Sequence, residues 1–289
     1  MVHHTQYTWH IEFEKMINNK NRKPLYGLDH LEYEHPFDKQ ALITLEATPG
    51  LSAVGKFITK YTIEKLYTVQ FMGSSLKVSS QNYPEIFDYL QYACHILDLP
   101  RLPGLYVQWG YDINACTIGS ENPIIVLNSG LLDLCDEDEI LFIIGHECGH
   151  IKSNHMLYHM MAQLINNIID AVPGSNLFAA PLQFALYYWS RMSEFTADRA
   201  GLLCCQNMKA AARAFIKMSG LPINQYKHID PKTFIEQSRE FQQLDYESLN
   251  KVAKFISILQ ADHPWTVMRA SQLIDWVDTG EVKRIMYSH

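Results

Sequence analysis

Residues 136–152 read DEDEILFIIGHECGHIK, and this stretch decides the fold prediction. It contains the pattern H-E-x-x-H at His146, Glu147 and His150, directly after an apolar run that favours a buried helix. Side chains four positions apart lie on one helical face, so two imidazoles can bind a single zinc ion. Glu147 is rotated by about 100° from its neighbour, away from the metal yet close to a water molecule. The stretch therefore predicts two metal ligands and one general base on one helix.

A catalytic zinc ion needs a third protein ligand. Glu194 and Asp198 lie four positions apart in SEFTAD, residues 193–198. They share a helical face, so one carboxylate can bind the metal while the other accepts a hydrogen bond from a ligand imidazole. The alternative is a solvated acidic face, which the surrounding apolar residues disfavour. These residues alone leave open which carboxylate has which role.

The rest of the pattern predicts an α+β fold, mostly helical, with a small sheet ahead of the H-E-x-x-H helix. That helix is expected to begin near Asp136, which has Glu139 three positions on, and to continue to about Ile169. Gly145 and Gly149 inside it indicate close approach of another element. The other predicted elements are a hairpin over Tyr67–Val78, a helix over 83–97, strands at Leu105–Trp109 and Ile124–Leu127, and a helix over Leu182–Cys205.

Glycine and proline cluster only in loop-sized breaks, and no linker divides the chain. We expect an N-terminal segment, 1–60, that packs on or covers the catalytic domain, and a catalytic domain over 61–289. The domain is expected to be one compact unit.

The chain has 289 residues, of which 47% are hydrophobic and 19% charged, enough for a substantial core. Its net charge of −7 argues against a nucleic-acid partner, which selects a basic surface. The N-terminus lacks a secretory pattern, and the most apolar stretch, Leu177–Trp189, is too short to span a bilayer. We therefore expect a cytoplasmic protein without a transmembrane span; peripheral membrane contact stays open. The six cysteines are expected to be reduced, buried thiols.

Further motifs follow one another along residues 104–270. In chain order they are Asn114-Ala115-Cys116-Thr117-Ile118-Gly119, the strand Ile124–Leu127 with Ser129-Gly130-Leu131-Leu132, the H-E-x-x-H helix, Glu194-x-x-x-Asp198 with Arg199-Ala200-Gly201, and His263-Pro264 with Arg269. Together they make the chain similar to the M48 family of gluzincin metallopeptidases. This family includes the heat-shock membrane protease and the CAAX prenyl endopeptidase.

The resemblance implies a zinc-dependent endopeptidase with one zinc ion per chain and a peptide or unfolded protein as substrate. It assigns the zinc to His146, His150 and Glu194. Glu147 would act as general base and acid towards a zinc-activated water, and Asp198 would orient a ligand histidine.

The resemblance also implies residues around the metal. In the family, the strand ahead of the active-site helix pairs with extended substrate. Here that strand comprises Pro123, Ile124, Ile125, Val126, Leu127 and Asn128. His263 would either stabilise the oxyanion or occupy the open zinc position in a resting state, and Arg269 would anchor the loop of His263.

His155 and His159 are also four positions apart. Residue 155 lies nine positions after His146, about 180° around an ideal helix. We therefore expect both side chains to point away from the zinc, on a polar face.

Two other functions stay open. A catalytically silent zinc scaffold on a peptidase fold would have lost Glu147 or the third ligand, and the chain retains both. A zinc hydrolase of small molecules or lipids would have no use for an edge strand that binds extended peptides. Latency would follow if the N-terminal segment or the loop of His263 covers the cleft. A role in protein quality control is expected from the family alone, and the oligomeric state is not indicated.

Overall fold

The structure is a computed structural model, and it describes residues 22–60, 63–168, 178–220, 223–228, 230–243 and 265–289. Over these ranges the chain is mostly helical, as predicted, with short 3-10 helices at His30–Glu32 and Ile223–His228. The α-helices are α1 Pro36–Glu46, α2 Leu51–Lys60, α3 Ile63–Ser74, α4 Pro84–Ile96, α5 Ser129–Leu134, α6 Glu137–Lys152, α7 Met156–Ile168, α8 Ala179–Cys205, α9 Met208–Met218, α10 Pro231–Gln243, α11 Thr266–Asp278 and α12 Glu281–Ser288.

One mixed sheet precedes α6, and this arrangement confirms the α+β prediction. Its strands are β1 Leu76–Lys77, β2 Gly104–Gln108, β3 Ala115–Ile118 and β4 Ile124–Asn128, in the order β1-β2-β4-β3. Strands β2 and β4 are parallel, and the other two pairs are antiparallel. Every residue of β4 is buried, so this strand forms the centre of the sheet.

Helices α6 and α8 form the framework of the molecule. Asp136 caps α6: its side chain accepts from the backbone N–H of Glu139, whose own carboxylate accepts from the N–H of Asp136. A Cβ atom added at Gly149 would lie 2.5 Å from Cβ of Ala200, and one added at Gly201 would lie 2.7 Å from the carbonyl oxygen of Phe142. The helix backbones therefore touch where the glycines occur, and the predicted close approach is confirmed.

Two predicted elements are wrong. Residues predicted as the first strand of a hairpin over Tyr67–Val78 lie in helix α3, and β1 pairs with β2 rather than with them. Period-two alternation over five residues is too short to exclude a helix.

The predicted single helix from Asp136 to Ile169 is also divided in two, since α6 ends at Lys152. Asn154 takes the left-handed conformation, with φ at 57°. The N–H of Asn154 donates to the carbonyl of Ile151, and the N–H of His155 donates to that of His150, at 3.1 Å each. This pair of bonds is a Schellman motif, which ends a helix and reverses the chain.

The remaining fold predictions concern the cysteines, the membrane and the N-terminal segment. All six cysteines are free thiols. Among the described residues, no helix has both the length and the apolar character needed to cross a membrane. Helix α1 packs on α8 and buries Leu45. The division of the chain at residue 60 stays a prediction, and residues 1–21 lie outside the described part.

Candidate metal centre

Helices α6 and α8 bring His146, His150 and Glu194 together, with each residue at most 7% exposed. The Nε2 atoms of the two histidines lie 3.1 Å apart. The carboxylate of Glu194 lies 3.6 Å from Nε2 of His146 and 3.3 Å from Nε2 of His150. The two Nε2 atoms and the carboxylate, which faces His146 with Oε2 and His150 with Oε1, therefore form a triangle of ligand groups inside the protein.

This triangle fits a divalent cation. Ligand atoms about 2.0–2.1 Å from a tetrahedral zinc ion lie about 3.3 Å from one another, in the middle of the observed distances. Burial lowers the pKa of His150 to about 3, so the imidazole is neutral and its lone pair is available to a metal. The buried carboxylates of Glu194 and Asp198 both face the guanidinium of Arg269, and Glu147 is buried beside them, so a divalent cation would offset the negative charge that these described residues bring together.

Asp198 holds the ring of His146, because its Oδ1 lies 3.0 Å from Nδ1 of the histidine. Arg269 donates two hydrogen bonds to the same carboxylate, of 2.6 and 2.8 Å. Burial would raise the pKa of Asp198, but the charge and hydrogen bonds of Arg269 hold it below its ordinary value. The ionised carboxylate accepts the Nδ1 proton of His146 and so turns the Nε2 lone pair towards the triangle.

Arg269 itself lies closer to the centre than the sequence indicates. Its Nη1 atom is 3.4 Å from Glu194, and its side chain is buried. Residues 244–264 lie outside the described part, and with them both roles predicted for His263 and the anchoring of its loop by Arg269.

Glu147 lies beside the triangle at 5% exposure. Thr117 on β3 donates a hydrogen bond of 2.6 Å to Oε2 of Glu147. The general base expected from the sequence is therefore oriented by the sheet. Thr117 belongs to the motif 114–119, although its hydroxyl carries no role in the sequence prediction.

A cleft of about 640 Å³ opens onto these groups. Its lining includes residues 111–115 together with His146, Glu147 and Glu194. A larger cavity of about 940 Å³ lies between α2 and α7, but none of the groups of the triangle lines it. The cleft beside the triangle is therefore the candidate active site.

The structure contradicts the substrate strand predicted at Pro123–Asn128. Strand β4 is bonded to β2 on one side and to β3 on the other, so it has no open edge. Among the described strands β3, Ala115–Ile118, lies at the margin of the sheet and next to Glu147. The sequence shows that β4 is apolar from Ile124 to Leu127, and such a strand is typical of a sheet interior.

The prediction for His155 is wrong as well. The Schellman motif folds residue 155 back over the last turn of α6, and its Nδ1 atom lies 3.0 Å from Nδ1 of His150. His155 is 5% exposed, so it is not part of a polar face. The ring centroid of His159 lies 4.8 Å from that of His150. The ideal-helix angle fails because the helix ends between the two positions compared.

Comparisons with known proteins agree with this geometry. The model of Peptidase family M48 matches residues 90–277. The plastoglobule-localized metallopeptidase 48 of the Arabidopsis thaliana chloroplast is 29% identical over 90% of this chain and 76% of its own length. A protease HtpX homolog of Nostoc sp. is 23% identical over 78% of this chain and 84% of its own.

A second HtpX homolog, from Salinibacter ruber, is 27% identical over 58% of this chain and 67% of its own. No solved structure matches the chain. The family match spans well over half of the sequence and includes all the residues of the triangle. The chain is therefore a peptidase with a metal cofactor and belongs to peptidase family M48.

Proposed function

We propose that the protein is a zinc-dependent metalloendopeptidase that cleaves extended peptide segments. The observation that carries the proposal is the buried triangle of His146, His150 and Glu194 with Glu147 beside it, open to a cleft. Two imidazoles and one carboxylate form a ligand set typical of catalytic zinc, since they leave one position for the reaction.

Each of the chain's own groups has a separate role in the proposed reaction. When bound, zinc would supply Lewis acidity, which polarises the scissile carbonyl and acidifies a water molecule. Glu147 accepts a proton from the water at its carboxylate and returns it to the leaving amine nitrogen. Thr117 fixes the orientation of that carboxylate through its hydroxyl. Asp198 keeps the proton of His146 on Nδ1, away from the metal side of the ring.

The substrate would bind as an added strand. Strand β3 pairs with β4 on one side, and among the described strands none pairs with its other side. An extended peptide on that side would run past Glu147 and receive main-chain hydrogen bonds. This placement replaces the strand expected from the sequence and favours peptides over small molecules or lipids.

A peptide-library digest tests the proposal. We expect cleavage that a zinc chelator abolishes, that added zinc restores and that Glu147→Gln lacks. Cleavage at equal rates with and without chelator would contradict the zinc mechanism. If wild type and Glu147→Gln both bind zinc and neither cleaves any peptide, the result would favour the scaffold function.

The same assay tests whether the enzyme is latent and whether it prefers unfolded substrates. Limited proteolysis before the digest would raise the rate of a latent enzyme and leave an open one unchanged. Faster cleavage of an unfolded protein than of its folded form would support a role in protein quality control. The cytoplasmic location stays a prediction, and the plastoglobule location in the relative's name belongs to that relative.

A further inference from the structure

His150 has a hydrogen-bond chain behind it that leads away from the metal. Its Nε2 atom is one corner of the triangle, so the neutral ring must carry its proton on Nδ1 when a metal is bound. That proton points at Nδ1 of His155, 3.0 Å away. The Schellman motif therefore places an acceptor where a ligand histidine needs one.

The second nitrogen of His155 continues the chain. Because its Nδ1 accepts from His150, its Nε2 carries the proton and lies 3.3 Å from Oδ2 of Asp38. Thr196 donates to the same oxygen at 2.5 Å. Burial would raise the pKa of Asp38, yet the hydrogen bonds from His155 and Thr196 hold it below its ordinary value. Asp38 is thus an ionised carboxylate with 1% exposure.

His159 has a different set of partners. Its Nε2 lies 2.9 Å from Oγ of Ser193 and its Nδ1 lies 3.2 Å from Oγ of Ser190. The hydroxyl of Ser193 donates to the carbonyl of Ser190, so it accepts from the ring. Both nitrogens of His159 are therefore hydrogen-bonded to serines. This argues against a second metal ion bound by His150, His155 and His159, whose ring nitrogens also lie close together.

We propose that His155 and Asp38 are positioning residues for the zinc ligand His150, as Asp198 is for His146. The inference rests on the proposed zinc site. Asp38 comes from α1, outside the residues 90–277 that match the family, so the N-terminal segment would complete the metal centre. The ionised carboxylate makes His155 a better acceptor and His150 a stronger ligand.

Zinc affinity of the full chain, measured by competition with a fluorescent chelator at pH 7.5, tests this inference. We expect Asp38→Asn to weaken zinc binding by about 10-fold and His155→Leu by about 10- to 100-fold. His155→Gln keeps an acceptor and should recover part of the loss. Leu45→Ala, on the buried face of the same helix, is the matched control: it should lower the Tm of the metal-free protein and leave zinc affinity unchanged.

Equal zinc affinity in wild type, Asp38→Asn and His155→Leu would overturn the inference. So would a loss in Leu45→Ala as large as that in Asp38→Asn, or two zinc equivalents per wild-type chain. If Asp38→Asn does not fold, the comparison of His155→Leu with His155→Gln decides. Failure of the proposed function is distinguishable, since wild type would then bind no zinc or His146→Ala would bind it equally well.

Discussion

The hydroxyl of Thr117 donates a hydrogen bond of 2.6 Å to the carboxylate of Glu147, so the marginal strand of the sheet and the metal-binding helix meet at the proposed general base. Two segments 30 residues apart in sequence thereby share one chemical group. Under the proposed function, a peptide aligned on the strand would be aligned on the base at the same time. This contact would then join substrate binding to proton transfer.

Thr117→Val tests that contact. Valine keeps the shape of the side chain but cannot donate, so Glu147 loses a hydrogen bond to its charged form. We expect kcat/KM to fall by about 10- to 150-fold, on the basis that a hydrogen bond to a charged group contributes about 1.5–3 kcal/mol. Thr117→Ser retains the hydroxyl and should stay within about 3-fold of wild type. Valine and serine variants of equal activity would separate Thr117 from the reaction.

Glu147→Gln tests the base itself. Glutamine has the size of glutamate but accepts no proton at neutral pH, so kcat should fall by about 100- to 10,000-fold. Zinc content, measured on the same sample, should stay at one equivalent because Glu147 is not part of the triangle. A variant that cleaves at the wild-type rate would show that another group moves the proton.

Arg269→Gln tests the buried charge balance. The guanidinium lies against Asp198 and Glu194, and its removal leaves these carboxylates without their cation. We expect urea unfolding of the metal-free protein to lose about 3–5 kcal/mol. Arg239→Gln is the control, since its pair with Asp278 has side chains that are 51% and 57% exposed and should contribute at most about 1 kcal/mol. Equal losses in the two variants would contradict the assignment of Arg269 to the centre.

A structural feature can be predicted from the sequence when the residues that determine it lie close together in the chain. The spacing in H-E-x-x-H and the capping pair Asp136 and Glu139 are local, and the structure shows α6 with both as predicted. The meeting of α6 with α8 follows from glycines that only a close neighbour requires. These local and periodic signals were sufficient for the fold class and for the pairing of His146 with His150, whereas the choice of Glu194 over Asp198 as the third corner came from the family resemblance.

The wrong predictions and the contacts that the sequence did not predict have physical causes as well. A single left-handed residue, Asn154, ends α6 and brings His155 back to the site, and a period count cannot represent that reversal. The contact of Asp38 with His155 joins residues far apart in sequence, and no local pattern indicates it. The neighbours of β4 depend on the order of strands in the sheet, which the apolar pattern of one strand does not contain.

His35 predicts a pH dependence of stability. It caps α1 by accepting from the N–H of Phe37, and burial, together with the charge of Arg199, lowers its pKa to about 4. The unfolded chain takes up this proton near pH 6.5 and the folded chain only near pH 4, so between these values the unfolded state binds more protons. Stability should therefore fall as the pH is lowered, by up to about 3 kcal/mol from this group.

His35→Asn isolates that effect, because asparagine can cap the helix and does not titrate. Urea unfolding of metal-free protein between pH 7 and pH 4 should show a smaller loss in the variant than in wild type. Parallel losses in the two proteins would mean that His35 does not contribute. Other buried histidines titrate in both proteins alike, so the difference reports His35 alone.

In the proposed metal centre, two imidazoles of α6 and one carboxylate of α8 hold a single zinc ion. Zinc K-edge X-ray absorption of the purified full chain reports these ligands. We predict a coordination shell of nitrogen and oxygen at about 2.0–2.1 Å with the scattering of two imidazoles. Sulfur at about 2.3 Å in that shell, or a spectrum unchanged by His146→Ala, would rule out these ligands.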